Sequence, residues 1–251
     1  MESRPMLILL PPSEGKATPA KGAPLDLESL VYAERLGEKR AALLDALERL
    51  AAAPRKTAVR KLGVSAGQAD EVAVGAGLRG APAAAAAKIY TGVLFDRLGL
   101  PGLPAPARRR VLIASALWGV LRPEDRIPYY RFSSKARLGR IGAPASWWRP
   151  ALTAALPDEP GELVVDMRSA AYAAAWKPKR ATLLAVRAFS DGGGQRKVVS
   201  HMAKAVRGDV ARALLLAKRS PADPEAAAGV AAKAGFEVEL NGGNLDVIVS
   251  D

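Results

Sequence analysis

Apolar and polar positions alternate between two periods along this chain, so strands and helices are mixed throughout. Short, bounded apolar runs read as buried strands. They fall at Met6–Leu10, which two prolines stop, at Val111–Leu117, which breaks at Gly119, and at Leu163–Val165. From Leu27 to Ala53 the period becomes helical, with Leu36, Leu43, Leu47 and Leu50 on one face and Pro54 at the end. Val59 and Leu62 fit a short helix, Gly63-Val64-Ser65 a tight turn, and Ala66–Val72 the start of another helix. Ala83–Leu98 is helical with an interruption near Gly92, and Gly99–Pro106 is expected as an exposed connector.

In the second half, Ser146 is the expected cap of a helix over Trp147–Leu156. One of Trp147 and Trp148 should be core, the other a contact residue. Ala170–Trp176 is expected as a helix, and Thr182–Val186 with Arg196–Val199 as a strand pair around Gly192-Gly193-Gly194. Ser200 should cap a long helix running to Leu216, and a helix at Pro224–Ala234 precedes two strands, Phe236–Leu240 and Leu245–Val249. The turn Asn241-Gly242-Gly243-Asn244 between them is a hairpin signal. The sum is an α+β fold: one domain over residues 1–251, with a mixed β-sheet flanked by helices. Region 27–100 forms a helical appendage shaped like a helix-hairpin-helix.

Composition narrows the function classes. The chain has 251 residues and no apolar run of membrane-span length, and it opens Met-Glu-Ser-Arg-Pro, unlike a signal peptide. Cysteine is absent, which removes disulfide and thiolate chemistry and favours a cytoplasmic location. One histidine, His201, argues against a Ser-His-Asp triad or a multi-histidine metal site, so no metal and no cofactor is expected. Lys plus Arg is 37 against 25 Asp plus Glu, a net charge of +12. That favours polyanionic partners, whether nucleic acid, nucleotides or acidic surfaces, with nucleic acid held through its phosphate backbone and with little sequence preference. A small anionic ligand fits the same charge, and no membrane partner is expected.

The chemistry-bearing residues gather in a few stretches. Ser13, Glu14 and Lys16 follow the first strand, on a loop that lacks the glycine and hydroxyl of a Walker sequence. The segment Arg108–Arg131 places Trp118, Arg122, Asp125, Tyr130 and Arg131 beyond an apolar run, where ligand-facing residues collect in sheet proteins. Trp118, Tyr129 and Tyr130 are candidates for stacking on an unpaired base. The hairpin region offers Lys56, Arg60, Lys61, Gly63 and Ser65 as a phosphate grip. Were the chain an enzyme, Lys16, Asp125 and Lys204 would be its acid–base or nucleophilic groups, in a cleft lined by Lys16, Arg122, Tyr130 and Lys204.

Five segments together resemble one family: Leu9–Lys16, Tyr90-Thr91-Gly92, Ser115–Arg131, Val164–Tyr172 with Trp176-Lys177-Pro178, and Val199–Arg212. They are similar, in the same order, to the peroxide stress protein YaaA family. The resemblance implies a cytoplasmic, DNA-binding protein with a single α+β fold and a helix-hairpin-helix. Such a protein helps cells survive hydrogen peroxide by limiting free intracellular iron. It places family positions on Ser13, Lys16, Tyr90, Arg122, Asp125, Tyr130, Arg131, Ser169, Tyr172, Ser200, Lys204 and Arg207, with Glu14, Trp118 and Arg168 beside them as anion-site candidates. This sequence carries Ala171 where an acidic residue is common, and Ser-Glu-Gly-Lys where Ala-Lys-Thr is common. The alternative function is an enzyme, a lyase or hydrolase acting on a nucleotide or nucleobase.

Overall fold

In a computed structural model, residues 6–62, 74–192, 195–198 and 202–249 are described. Gly63, Ser65, the rest of the expected hairpin and its second helix, Ser200 and His201 lie outside them. The centre is a sheet built around β1 (Leu7–Leu10), with β3 (Val111–Ser115) parallel on one side and β6 (Leu163–Asp166) parallel on the other. Beyond β6 come β7 (Thr182–Gly192) and β10 (Asn244–Val249), both parallel to their inner neighbours. Antiparallel strands finish the edges: β4 (Gly119–Leu121) beside β3 and β9 (Glu237–Asn241) beside β10. β8 (Gln195–Val198) pairs antiparallel with β7. A separate short pair joins β2 (Ala84–Ala85) to β5 (Arg126–Ile127). Strands covered on both faces need continuous apolar sequence, and every residue of β3 and β6 is buried.

The chain leaves β1 to build β3 on one flank and later β6 on the other. The loops past the carboxyl ends of these three strands therefore diverge around a crevice, the usual place for a ligand in an open sheet.

Helix α1 (Ala33–Ala51) buries Leu36, Leu43, Leu44, Leu47 and Leu50, as the spacing requires, and α2 (Arg55–Leu62) buries Ala58 and Leu62. Both join the same core as the sheet. The interruption at Gly92 (φ 98°) separates α3 (Ala86–Ile89) from α4 (Val93–Leu98). The connector after it is not simply exposed. Leu100 and Leu103 are buried, Leu100–Gly102 forms a 3-10 turn, and α5 (Ala105–Arg108) leads into β3. Ser146 is no cap: α6 spans Pro144–Ala155 and starts after Ala143, because a proline suits the first helical turn. Trp148 is core, its indole donating to the Ala116 carbonyl at 2.8 Å, while Trp147 packs under Lys39 Nζ, 3.9 Å from the ring centroid. Helix α7 (Ala170–Ala173) is shorter than the apolar pattern implies. Helix α8 (Met202–Leu216) runs back beside β7, and α9 (Pro224–Lys233) is capped by Asp223. At Gly208 a Cβ would stand 2.4 Å from the Leu94 carbonyl oxygen, so α4 and α8 touch only because this position is glycine.

Tyr32 is the one non-glycine among the described residues with positive φ (57°), a left-handed conformation costing about 1–2 kcal/mol. Its neighbour fixes it there. The Val31 N–H donates to both Asp125 carboxylate oxygens at 3.2 Å, and the Val31 carbonyl accepts from Arg40 Nη2 at 2.9 Å.

Candidate functional site

The loop after β1 returns to pair with the end of α3. Ala17 donates to the Ile89 carbonyl at 2.8 Å and Thr91 to the Gly15 carbonyl at 3.2 Å, which sets Lys16 opposite Tyr90. Lys16 Nζ donates to the Ser13 carbonyl at 2.7 Å and lies 4.7 Å from the Tyr130 ring centroid and 5.7 Å from that of Tyr90. Such an ammonium over aromatic faces gains cation–π attraction, more when water is excluded. The two phenols share a hydrogen bond of 2.7 Å, and Tyr130 reaches Ser115 Oγ at 2.8 Å. Ser115 in turn accepts from the N–H groups of Leu117 and Trp118. Arg131 Nη1 donates to the Glu14 carbonyl at 2.8 Å, tying the two loops together.

Tyr172, at the start of the segment after β6, closes the third side through hydrogen bonds with Ser134. A small apolar cavity runs from Ser115 to Ser134, Arg168 and Tyr172, floored by Trp148. Burial raises the pKa of Tyr90 and raises that of Tyr130 well above the ordinary tyrosine value, in both cases against the Ser115 hydrogen bond. Tyr172 is raised as well, by burial more than by the nearby Glu14 carboxylate. These hydroxyls are therefore neutral at physiological pH. Tyr90, Tyr130 and Ser115 form a continuous hydrogen-bond relay.

Behind them, Arg168 grips Asp166 with two hydrogen bonds of 2.8 Å and donates a third to the Trp176 carbonyl. Arg207 donates to the Val186 carbonyl at 3.0 Å. Burial lowers its pKa, while Asp166 pulls the other way. Arg168 thus braces the carboxyl end of β6, and Arg207 the middle of β7. Ser169 is the residue before α7 and is exposed. Lys204 is exposed on α8, one turn before Arg207.

Of the candidates read from the sequence, the structure assembles Ser13, Glu14, Lys16, Tyr90, Tyr130, Arg131 and Tyr172 into the crevice. Arg122 and Asp125 do not join it. Strand β4 turns back along β3, so Leu121 pairs with Ile113 and Arg122 is carried to the opposite, amino edge of the sheet. There it lines a different cavity, with Tyr32 and Leu7. Asp125 is buried and accepts from the Arg122 N–H at 2.9 Å as well as from Val31. It is a turn-builder, not an acid–base group in the crevice. Trp118 and Tyr130 cannot stack on a base: they are 0 % and 1 % exposed and pack edge to face at 5.7 Å. A tryptophan shortly before a run of charges resembles a contact loop in sequence, but the β3–β4 hairpin folds Trp118 inward.

Ser115 and Ser134 are the crevice residues that sequence reasoning missed. Ser115 had a signal, being the single polar residue closing an apolar strand. Ser134 had none.

Lys56 and Arg60 are exposed on α2 and Lys61 is half-buried, while Ala58 and Leu62 anchor the other side. The Arg137 N–H donates to the Lys61 carbonyl at 2.7 Å, which brings exposed Lys135, Arg137 and Arg140 beside the end of the helix. Among the described residues no three His, Asp or Glu side chains cluster in a way that could hold a metal, and no helix is long and apolar enough to cross a membrane.

Residues 6–240 match the family model described as peroxide stress protein YaaA. The chain is 43% identical to a UPF0246 protein of Streptomyces coelicolor over 98% of this chain and 99% of that one. It is 37% identical to a UPF0246 protein of Corynebacterium efficiens over 97% and 98%. An uncharacterized protein of Campylobacter jejuni is 28% identical over 81% and 82%. The central strands β1, β3, β6 and β7, the crevice loops and α8 all lie within the matched span, and the chain belongs to the peroxide stress protein YaaA family.

Proposed function

We propose that this peroxide stress protein binds DNA through its phosphate backbone, and that it protects cells by limiting free iron without holding iron tightly itself. The observation that carries the DNA reading is the basic surface formed where two segments meet. Helix α2 reads RKTAVRKL, four cations and no anion, and its end is bonded to a loop carrying Lys135, Arg137 and Arg140. Cations spaced along a helix and an adjoining loop match successive phosphates and carry no base-reading geometry. The scarcity of soft or clustered donors among the described residues supports an indirect effect on iron.

Amide hydrogen exchange tests the location. Adding a duplex should slow exchange across Arg55–Leu62 and residues 133–141. Protection confined to other segments would remove the DNA reading of this surface.

A second reading, an enzyme acting on a nucleotide or nucleobase, is favoured by Lys16 over the two linked phenols. An ammonium fixed among neutral hydroxyls suits an oxyanion or an enolate-like oxygen. In this reading Lys16→Met abolishes ligand binding or turnover with the fold intact. Activity retained by that variant would discard it.

A further inference from the structure

A second cavity lies at the opposite edge of the sheet from the crevice, with a volume of about 210 Å³. Its floor is apolar, made from residues at the amino ends of three central strands: Leu7, Leu112 and Val164. Its rim is polar and mostly cationic, with Arg109, Arg110 and Arg122 against the single carboxylate of Glu162, and with Tyr32 between them. An apolar floor under a few convergent polar groups is the usual make-up of a small-molecule site.

The rim is held in place. Arg110 is anchored from behind, donating to Ser220 Oγ at 3.1 Å and to the Leu215 carbonyl. The Arg122 side chain is hydrogen-bonded to Tyr32. One buried carboxylate sets both of these walls, since Asp125 accepts from the backbone N–H of Arg122 and from that of Val31, next to Tyr32. The left-handed backbone of Tyr32 turns its phenol to this cavity, and backbone strain of this kind collects at ligand sites. Asp125, which the sequence places with the catalytic candidates, is here a positioning residue.

We propose that this cavity binds a small organic oxyanion, a phosphate or carboxylate head on an apolar body, with Arg122 and Tyr32 meeting the head. The three rim arginines outnumber the one carboxylate, so an anion is favoured over a neutral or cationic guest. The apolar floor favours an organic body over a bare inorganic ion.

Isothermal titration calorimetry with phenyl phosphate, benzoate, inorganic phosphate and benzyl alcohol tests this on the full chain. Phenyl phosphate or benzoate should bind at least tenfold more tightly than inorganic phosphate and benzyl alcohol. Whichever of the two is tighter identifies the head. Arg122→Ala should weaken that binding at least tenfold and Tyr32→Phe about threefold, with the melting transition unchanged in form. Should Arg122→Ala not fold, Arg109→Ala on the exposed rim is expected to weaken binding about threefold. Lys16→Met, at the other edge of the sheet, should leave it unaltered. The proposal is overturned if neither organic anion binds, if the rim variants bind as well as the parent, or if only Lys16→Met loses binding.

Discussion

Replacing Arg40 by methionine should destabilise the protein by about 3–5 kcal/mol, the cost of removing one member of a buried charged network. For a chain of this size that corresponds to a fall in Tm of roughly 6–20 °C. Arg40 is 0 % exposed in the middle of the leucine face of α1. Its Nε donates to the Trp118 carbonyl at 3.0 Å and its Nη2 to the carbonyls of Val31 and Val120 at 2.9 and 3.0 Å. A methionine fills most of the space and satisfies none of these carbonyls. It also strips Asp125 of the nearest buried cation. Burial lowers the pKa of Arg40 to about 10, so it remains charged at neutral pH, with Asp125 helping to keep it so.

The same variant has a pH signature. Burial raises the Asp125 carboxyl above its ordinary value, against the pull of the Arg122 and Val31 N–H groups and of Arg40. A carboxyl raised in the folded state stabilises fully below its unfolded pKa, and that contribution is lost as pH climbs through the folded value. Without Arg40 the folded value rises further. The variant should therefore recover part of its stability on acidification from pH 8 to pH 5, measured by urea unfolding. A loss below 1 kcal/mol, or one independent of pH, would show that the attraction between Arg40 and Asp125 is not structural.

The second large effect is on DNA. Lys56→Glu/Arg60→Glu/Lys61→Glu reverses three charges on a face that carries no acid of its own. Each cation lost from a phosphate contact, and each anion put in its place, weakens binding, so at low salt the affinity should fall at least about 100-fold. The three side chains are exposed or half-buried and make no contribution to the buried side of α2, which is Ala58 and Leu62. Far-UV circular dichroism and Tm should consequently be close to those of the parent. Equal DNA binding by parent and variant would place the interface elsewhere.

The strands were legible where their apolar runs are short and bounded, and the leucine face of α1 was legible because nothing interrupts its period except Arg40. That residue looks like a solvated charge in sequence. Its burial depends on carbonyls from residues 118 and 120, some 80 positions away. The crevice was half legible. The loop after β1 and the Tyr130-Arg131 pair announce themselves by composition, and they do meet through Arg131 and the Glu14 carbonyl. Arg122 was misplaced for a topological reason. The sequence Trp118-Gly119-Val120-Leu121-Arg122 reads as one loop leaving β3, but Gly119 (φ 76°) begins an antiparallel return. Five residues of apparent loop thereby span the sheet from one edge to the other. Composition cannot distinguish a loop from a return strand when the strand is three residues long.

Salt dependence reads DNA binding by this surface at its source, because each lysine or arginine that grips a phosphate releases a counterion. With fluorescence anisotropy of a labelled duplex between 50 and 300 mM salt, log K should fall linearly with log salt. A slope of about −4 to −5 is expected if most of Lys56, Arg60, Lys61, Lys135, Arg137 and Arg140 meet phosphates. A flat salt series, or no binding at the lowest salt, would contradict it.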